Sequence, residues 1–251
     1  MSSKYRIPFH FHALGHVFSA RFHRPFDHVI EAQAATSLPS IGGHASAAVQ
    51  NFRAHHFVSF RAGHSHVSGS WVDDDTVVTS TTSTIEGLNI LNVITADRIV
   101  ARLTSEGKRG RKEAHIIALG SEFENLRIAG HPVKVILRHD LFLKCAVFED
   151  LRKLVATDAK SGKITATEDG VALCSLVDKI ETDLPGAEKN GHILRIPHFG
   201  QISIAEVFAV PGTRTLTMLR LHLGSPDAGK GTVCEVLSEG QPMPPIPGGT
   251  G

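Results

Sequence analysis

The stretch Ser83-Thr84-Ile85-Glu86-Gly87-Leu88-Asn89-Ile90 returns as Ser121-Glu122-Phe123-Glu124-Asn125-Leu126-Arg127-Ile128. No other self-similarity in the chain is as clear, and each copy leads into a run of strict alternation. After the first, Ile99, Ala101 and Leu103 face one way and Arg98, Val100 and Arg102 the other; after the second, Val133, Val135 and Leu137 oppose Lys134, Ile136 and Arg138. Period two is the signature of a strand with one buried face, so these segments belong to antiparallel β-sheet. No third copy follows at the same interval, and the pair reads as a two-fold β unit. Ile85/Phe123, Leu88/Leu126 and Ile90/Ile128 are its matched core positions, and Glu86 and Glu124 are its equivalent, structural turn residues.

The same alternation extends to both ends. His64, His66, Ser68 and Ser70 face away from Val67 and Trp71, the Thr/Val run Thr76 to Thr84 has high strand propensity, and Asp73-Asp74-Asp75 reads as an acidic turn before it. Late in the chain Ile202, Ile204 and Phe208 share a face. Leu219, Leu221 and Leu223 alternate with Met218, Arg220 and His222, and a hairpin through Val210-Pro211-Gly212-Thr213 joins these strands. Between the two β regions the period changes. Val147, Leu151, Leu154 and Val155, then Leu173, Leu176, Val177 and Ile180, fit two amphipathic helices, the second capped by Asp169 and closed before Pro185-Gly186.

The expectation is a mainly β protein, an antiparallel sandwich or short solenoid-like stack. Residues 1–240 form a single β domain with a two-helix insertion at about 141–190, and 241–251 are a disordered Pro/Gly tail.

Composition limits the function classes. The chain has 251 residues, 41% apolar, with a formal net charge of +1, which lacks the basic excess of an obligate nucleic-acid binder. Cys145, Cys174 and Cys234 are widely separated and odd in number, so they read as buried thiols rather than a metal or disulfide framework. Neither a signal-peptide-length apolar run at the start nor a membrane-spanning run occurs, which points to the cytoplasm.

The order of several segments resembles the bacterial surface-protein family called choice-of-anchor P. The matching pieces are 37–43, 84–91 followed by 94–97, Phe123 to Val133 and Ile193 to Glu206, within roughly 35–140 and 191–223. The resemblance implies an extracellular β domain held by an anchor, with no enzymatic role to carry over and with itself or a cell-envelope component as partner. The chain departs from that pattern in its start, its lack of a recognisable anchor after residue 240, its helical insertion and its histidine-rich first third.

Ten of the sixteen histidines lie within the first 66 residues. His10-Phe11-His12 and His64-Ser65-His66 each place two imidazoles on one strand face about 6.5–7 Å apart, a spacing from which side chains converge on zinc. His16, His55 or His56 are third-ligand candidates. The alternative function is therefore a histidine-rich metal-binding protein or zinc-type metallohydrolase using His10, His12, His64 and His66. The glutamate a cupin site needs after HxH is missing, and polar strand faces on which His replaces Thr or Gln are the plainer reading.

Other motifs offer less. Gly224 to Thr232 resembles a phosphate-binding loop but is followed by too little chain for the helix and βαβ unit such a loop opens. The basic segment Lys108 to Lys112 is bracketed by glutamates, the three aspartates lack the spaced ligands of a calcium loop, and no GxSxG elbow occurs. A non-enzymatic structural or interaction protein is the expected function, with no cofactor.

Overall fold

The computed structural model describes residues 9–111, 113–145, 147–160, 166–168, 170–224 and 228–239. The chain opens with β1 (Ala13–Phe22), β2 (His28–Gln33) and the two-residue β3 (Thr36–Ser37). Four long strands follow, β4 (Gly43–Ala54), β5 (Val58–Trp71), β6 (Thr76–Ile90) and β7 (Ile94–Lys108). Shorter strands β8 (His115–Ile117), β9 (Glu122–Glu124), β10 (Arg127–Ile128) and β11 (His131–Leu137) lead to helices α1 (Leu141–Lys144) and α2 (Phe148–Lys160). Then come β12 (Ala166–Glu168), β13 (Val171–Ser175), β14 (Val177–Thr182), β15 (Glu188–Asn190), β16 (Ile193–Ile196), β17 (Gly200–Val210), β18 (Thr213–Leu223) and β19 (Gly229–Glu239).

These strands form two antiparallel sheets packed face to face, a β-sandwich. The first runs β12-β13-β17-β18-β19-β1-β2, with β16 and β15 added at β17 and β3 at β1; the second runs β14-β11-β10-β7-β6-β5-β4, with β8 and β9 on β7. Ile85, Leu88, Ile90, Ile99, Ala101 and Leu103 of the second sheet meet Val17, Phe18, Leu216, Leu219 and Val236 of the first in one buried apolar cluster. The layers approach closely where β1 lies over β5 and β6. There a Cβ at Gly63 would stand 2.7 Å from Val17 Cγ2, and one at Gly15 would stand 2.9 Å from Ser83 Oγ. The Thr/Val run has small polar residues on its inner side, and two of them find partners: the Ser83 hydroxyl is 2.8 Å from that of Ser65 on β5, and Thr81 donates to the Leu237 carbonyl.

The helical region needs one correction. Phe148, Leu151 and Val155 are buried on α2 as the 3.6 period requires, and α1 adds a single turn before it. Glu113 accepts the backbone N–H of Phe148 at 2.9 Å, setting a carboxylate at the helix start. Residues 173–180, in contrast, are not helical: they are β13 and β14, which join the first and second sheets respectively. Their apolar spacing fits both periods because the chain passes from one sheet to the other at Leu176, which is buried on its own account. Asp169 and the 241–251 tail lie outside the described residues.

Both copies of the recurring stretch pair with β7, one on each side. Ile85 and Phe123 both stand opposite Ile99, Glu86 and Glu124 opposite Arg98, and Ile90 and Ile128 opposite Ile94. Gly87 (φ 63°) and Asn125 (φ 50°) are left-handed, and Asn51 (φ 52°) on β4 is too. Val49-Gln50-Asn51-Phe52-Arg53-Ala54 thus has the local form of the two stretches: apolar, polar, left-handed, apolar, polar, apolar. A left-handed residue shifts the alternation by one place, so apolar side chains stay inward on both sides of it. Glycine adopts this conformation without cost and asparagine with little. The first sheet has a matching line: Val17, Cys234, Met218 and Ala205 are skipped in register across four neighbouring strands, and all four are fully buried.

Candidate functional site

The outer face of β4 to β7 carries the residues singled out by the sequence. Cross-strand rows read Ser46, His66, Thr82, Arg102; then Ala48, His64, Thr84, Val100; then His44, Ser68, Ser80, Thr104. His64, His66 and Arg102 are exposed and the hydroxyls of Ser80, Thr82 and Thr84 half-exposed. The His44 and His66 rings lie near-parallel with centroids 6.3 Å apart, and Ser80 and Thr104 hydroxyls are 3.5 Å apart. The result is a broad array of hydrogen-bonding groups in fixed register across four strands.

Below these rows, at the line of left-handed residues, the face turns ionic. Arg61 meets Glu86 at 3.0 Å, Arg98 binds Glu122 and, at 3.1 Å, Glu124, and Asn125 donates to Asp97 at 2.7 Å. Glu86 and Glu124 are thus engaged by arginines. The acidic turn and the basic loop form one contact in the same way: Arg109 Nε donates to Asp75 at 2.6 Å and Arg109 Nη2 to the Asp74 carbonyl.

The four histidines proposed as metal ligands do not come together. His64 and His66 stand side by side on β5, whereas His12 meets Glu239 at 2.8 Å near the start of β1 and His10 is exposed beside it. His16 belongs to the first sheet. His55 and His56 sit at the β4–β5 turn, about 20 Å from His64 along the strand. Among the described residues no group of three or more His, Cys, Asp or Glu side chains is placed to hold a metal ion. Gly229 to Thr232 is antiparallel strand β19 rather than the start of a helix, so its backbone amides serve the sheet and form no phosphate cradle. The three thiols are buried and free, and burial pushes the Cys174 thiol up to about 12.

A second polar cluster, on the outer face of the first sheet, escapes a simple period-two reading. His16 Nε2 lies 3.1 Å from Thr232 Oγ1 and 3.3 Å from Ser19 Oγ, because the skipped Val17 turns His16 and Ser19 to the same side. Burial pushes the His16 imidazole below its ordinary value, with Glu235 opposing. Next to it Arg220 donates to Glu206 at 2.6 Å and Thr217 to Glu235 at 2.8 Å, while His192 stands 3.8 Å from Glu206. Burial alone would raise the Glu206 carboxyl; His192 and Arg220 outweigh it and hold the group below the usual range.

Fold and surface together define a β-sandwich with a broad polar outer face on its second sheet. A family model described as a domain of unknown function (DUF8256) matches residues 9–159 and 153–210, and the chain belongs to that family. Comparison with curated proteins and with solved structures found no match. No helix among the described residues is long and apolar enough to cross a membrane.

Proposed function

We propose that the chain is a non-enzymatic interaction protein of surface-protein type, working through the outer face of β4 to β7. The observation that carries this reading is the set of cross-strand rows in which His64, His66, Thr82, Thr84 and Arg102 stand on neighbouring strands. Such a face offers many donors and acceptors in fixed register, which suits a repetitive polar partner such as an envelope polymer better than a small ligand needing enclosure. The similar conformation at Asn51, Gly87 and Asn125 fits a hairpin unit that was multiplied to widen the face. The resemblance to the choice-of-anchor P proteins supports the same assignment.

Co-sedimentation of purified protein with isolated bacterial cell-envelope material tests it. Retention that is lost in the double variant Thr82→Glu/Thr84→Glu supports the reading. A protein that is not retained, or retention unaffected by that variant, removes the face from the account.

A further inference from the structure

We propose that β4 is a self-pairing edge, through which two copies of this chain join their second sheets antiparallel around a two-fold axis at Ala47. This deepens the interaction reading above and rests on it.

A sheet edge presents unpaired backbone N–H and C=O groups, and natural proteins guard edges with charge, irregularity or brevity. Among the described residues the other sheet ends are guarded. β2 carries Glu31 and its pairing with β1 is irregular, β14 carries Asp178, Lys179 and Glu181, and β12 and β15 are three residues long. Among the described residues β4 is paired on one side only, with β5; it is twelve residues long, and from Gly43 to Gln50 it holds no carboxylate, lysine, arginine or proline. Its outward residues His44, Ser46, Ala48 and Gln50 are exposed and its inward ones half-buried, and the strand's left-handed asparagine, Asn51, lies beyond this stretch.

A second copy is the occupant that the chemistry favours. Antiparallel pairing about Ala47 sets Ser46 opposite Ala48 and His44 opposite Gln50, with no like charges facing and with the outer faces on the same side. It also brings together two apolar features at opposite ends of the strand. Ile41, just before β4, is 90% exposed. Beyond the other end Phe26 is 43% exposed and packs edge-on against His55, 5.2 Å between centroids, and against Phe57. In the pair, Ile41 of each copy reaches the Phe26 and His55 end of the other, so the contact is made twice. The polar rows of the two copies then form one continuous face. The contact is small for a protein interface, so affinity in the micromolar range is expected.

Light scattering after size exclusion, on the full chain over about 1–200 µM, tests this. The wild type is expected to shift from monomer to dimer. Ser46→Lys/Ala48→Lys, both at exposed positions, is expected to weaken dimerisation about 100-fold by setting like charges across the new edge. Mixing it with Ser46→Glu/Ala48→Glu is expected to restore a heterodimer. Circular dichroism checks that the variants keep the fold. A wild type monomeric throughout, or a lysine variant that dimerises as the wild type does, overturns the proposal. A monomer still retained on envelope material sinks the edge and spares the face; a dimer that is not retained does the reverse.

Discussion

Gly63 sits where β1 of the first sheet lies close over β5 of the second, and Gly63→Ala is the sharpest probe of the sandwich. An added Cβ would stand 2.7 Å from Val17 Cγ2, 3.1 Å from Val49 Cγ1 and 3.3 Å from Phe60 Cε2. Non-bonded carbons rest about 3.5–4.0 Å apart, so the Val17 contact must open by about 1 Å. Val17 cannot swing away: it is β-branched, hence stiff at χ1, and fully buried. Overpacking of this kind costs about 1–3 kcal/mol. At about 2–4 °C per kcal/mol for a chain of this size, the melting temperature should fall by about 2–12 °C. Val17→Ala removes the methyl at 2.7 Å and costs about 1–3 kcal/mol on its own, but in the double variant only the milder Val49 and Phe60 contacts remain. Urea unfolding of the four proteins should therefore show a favourable coupling of about 1 kcal/mol or more. Additive costs, or a Gly63→Ala variant as stable as the wild type, would refute the close packing of β1 on β5.

The left-handed line in the second sheet predicts that Gly87→Asn, which copies Asn51 and Asn125, is mild, whereas Gly87→Val loses about 2 kcal/mol or more, read by urea midpoints. Equal effects would remove the conformational explanation of the recurring stretch. For His16, the folded pKa lies below the unfolded value of about 6.5. The unfolded chain then takes a proton that the folded one refuses, so this contribution is complete above pH 6.5 and is lost as pH falls toward the folded pKa. The urea midpoint between pH 8 and 5 should fall more steeply in the wild type than in His16→Gln, and identical profiles would contradict the burial argument. Elemental analysis of the purified chain, His64→Ala and His66→Ala tests the metal alternative. Substoichiometric zinc is expected, and stoichiometric zinc lost in both variants would favour the metal reading instead.

Strand segments with one wet face were plain in the sequence because alternation records burial directly, as at Ile99, Ala101 and Leu103. Leu173 to Ile180 misled because four apolar residues at i, i+3, i+4 and i+7 also describe a chain that leaves one sheet and enters another. The third left-handed position, Asn51, was hidden because Val49-Gln50-Asn51-Phe52-Arg53-Ala54 shares its conformation with the other two but only asparagine and the polarity pattern with their sequences. The His64-His66 face was legible from period two. The His16, Ser19 and Thr232 cluster was not, because Val17 breaks that period and no local composition marks the break.

The central claim is that the outer face of β4 to β7 is the working surface, and retention on isolated cell-envelope material measures it most directly. The account predicts that the wild type co-sediments and that Thr82→Glu/Thr84→Glu, folded by circular dichroism, stays in solution. Equal retention of both proteins, or of neither, would contradict it.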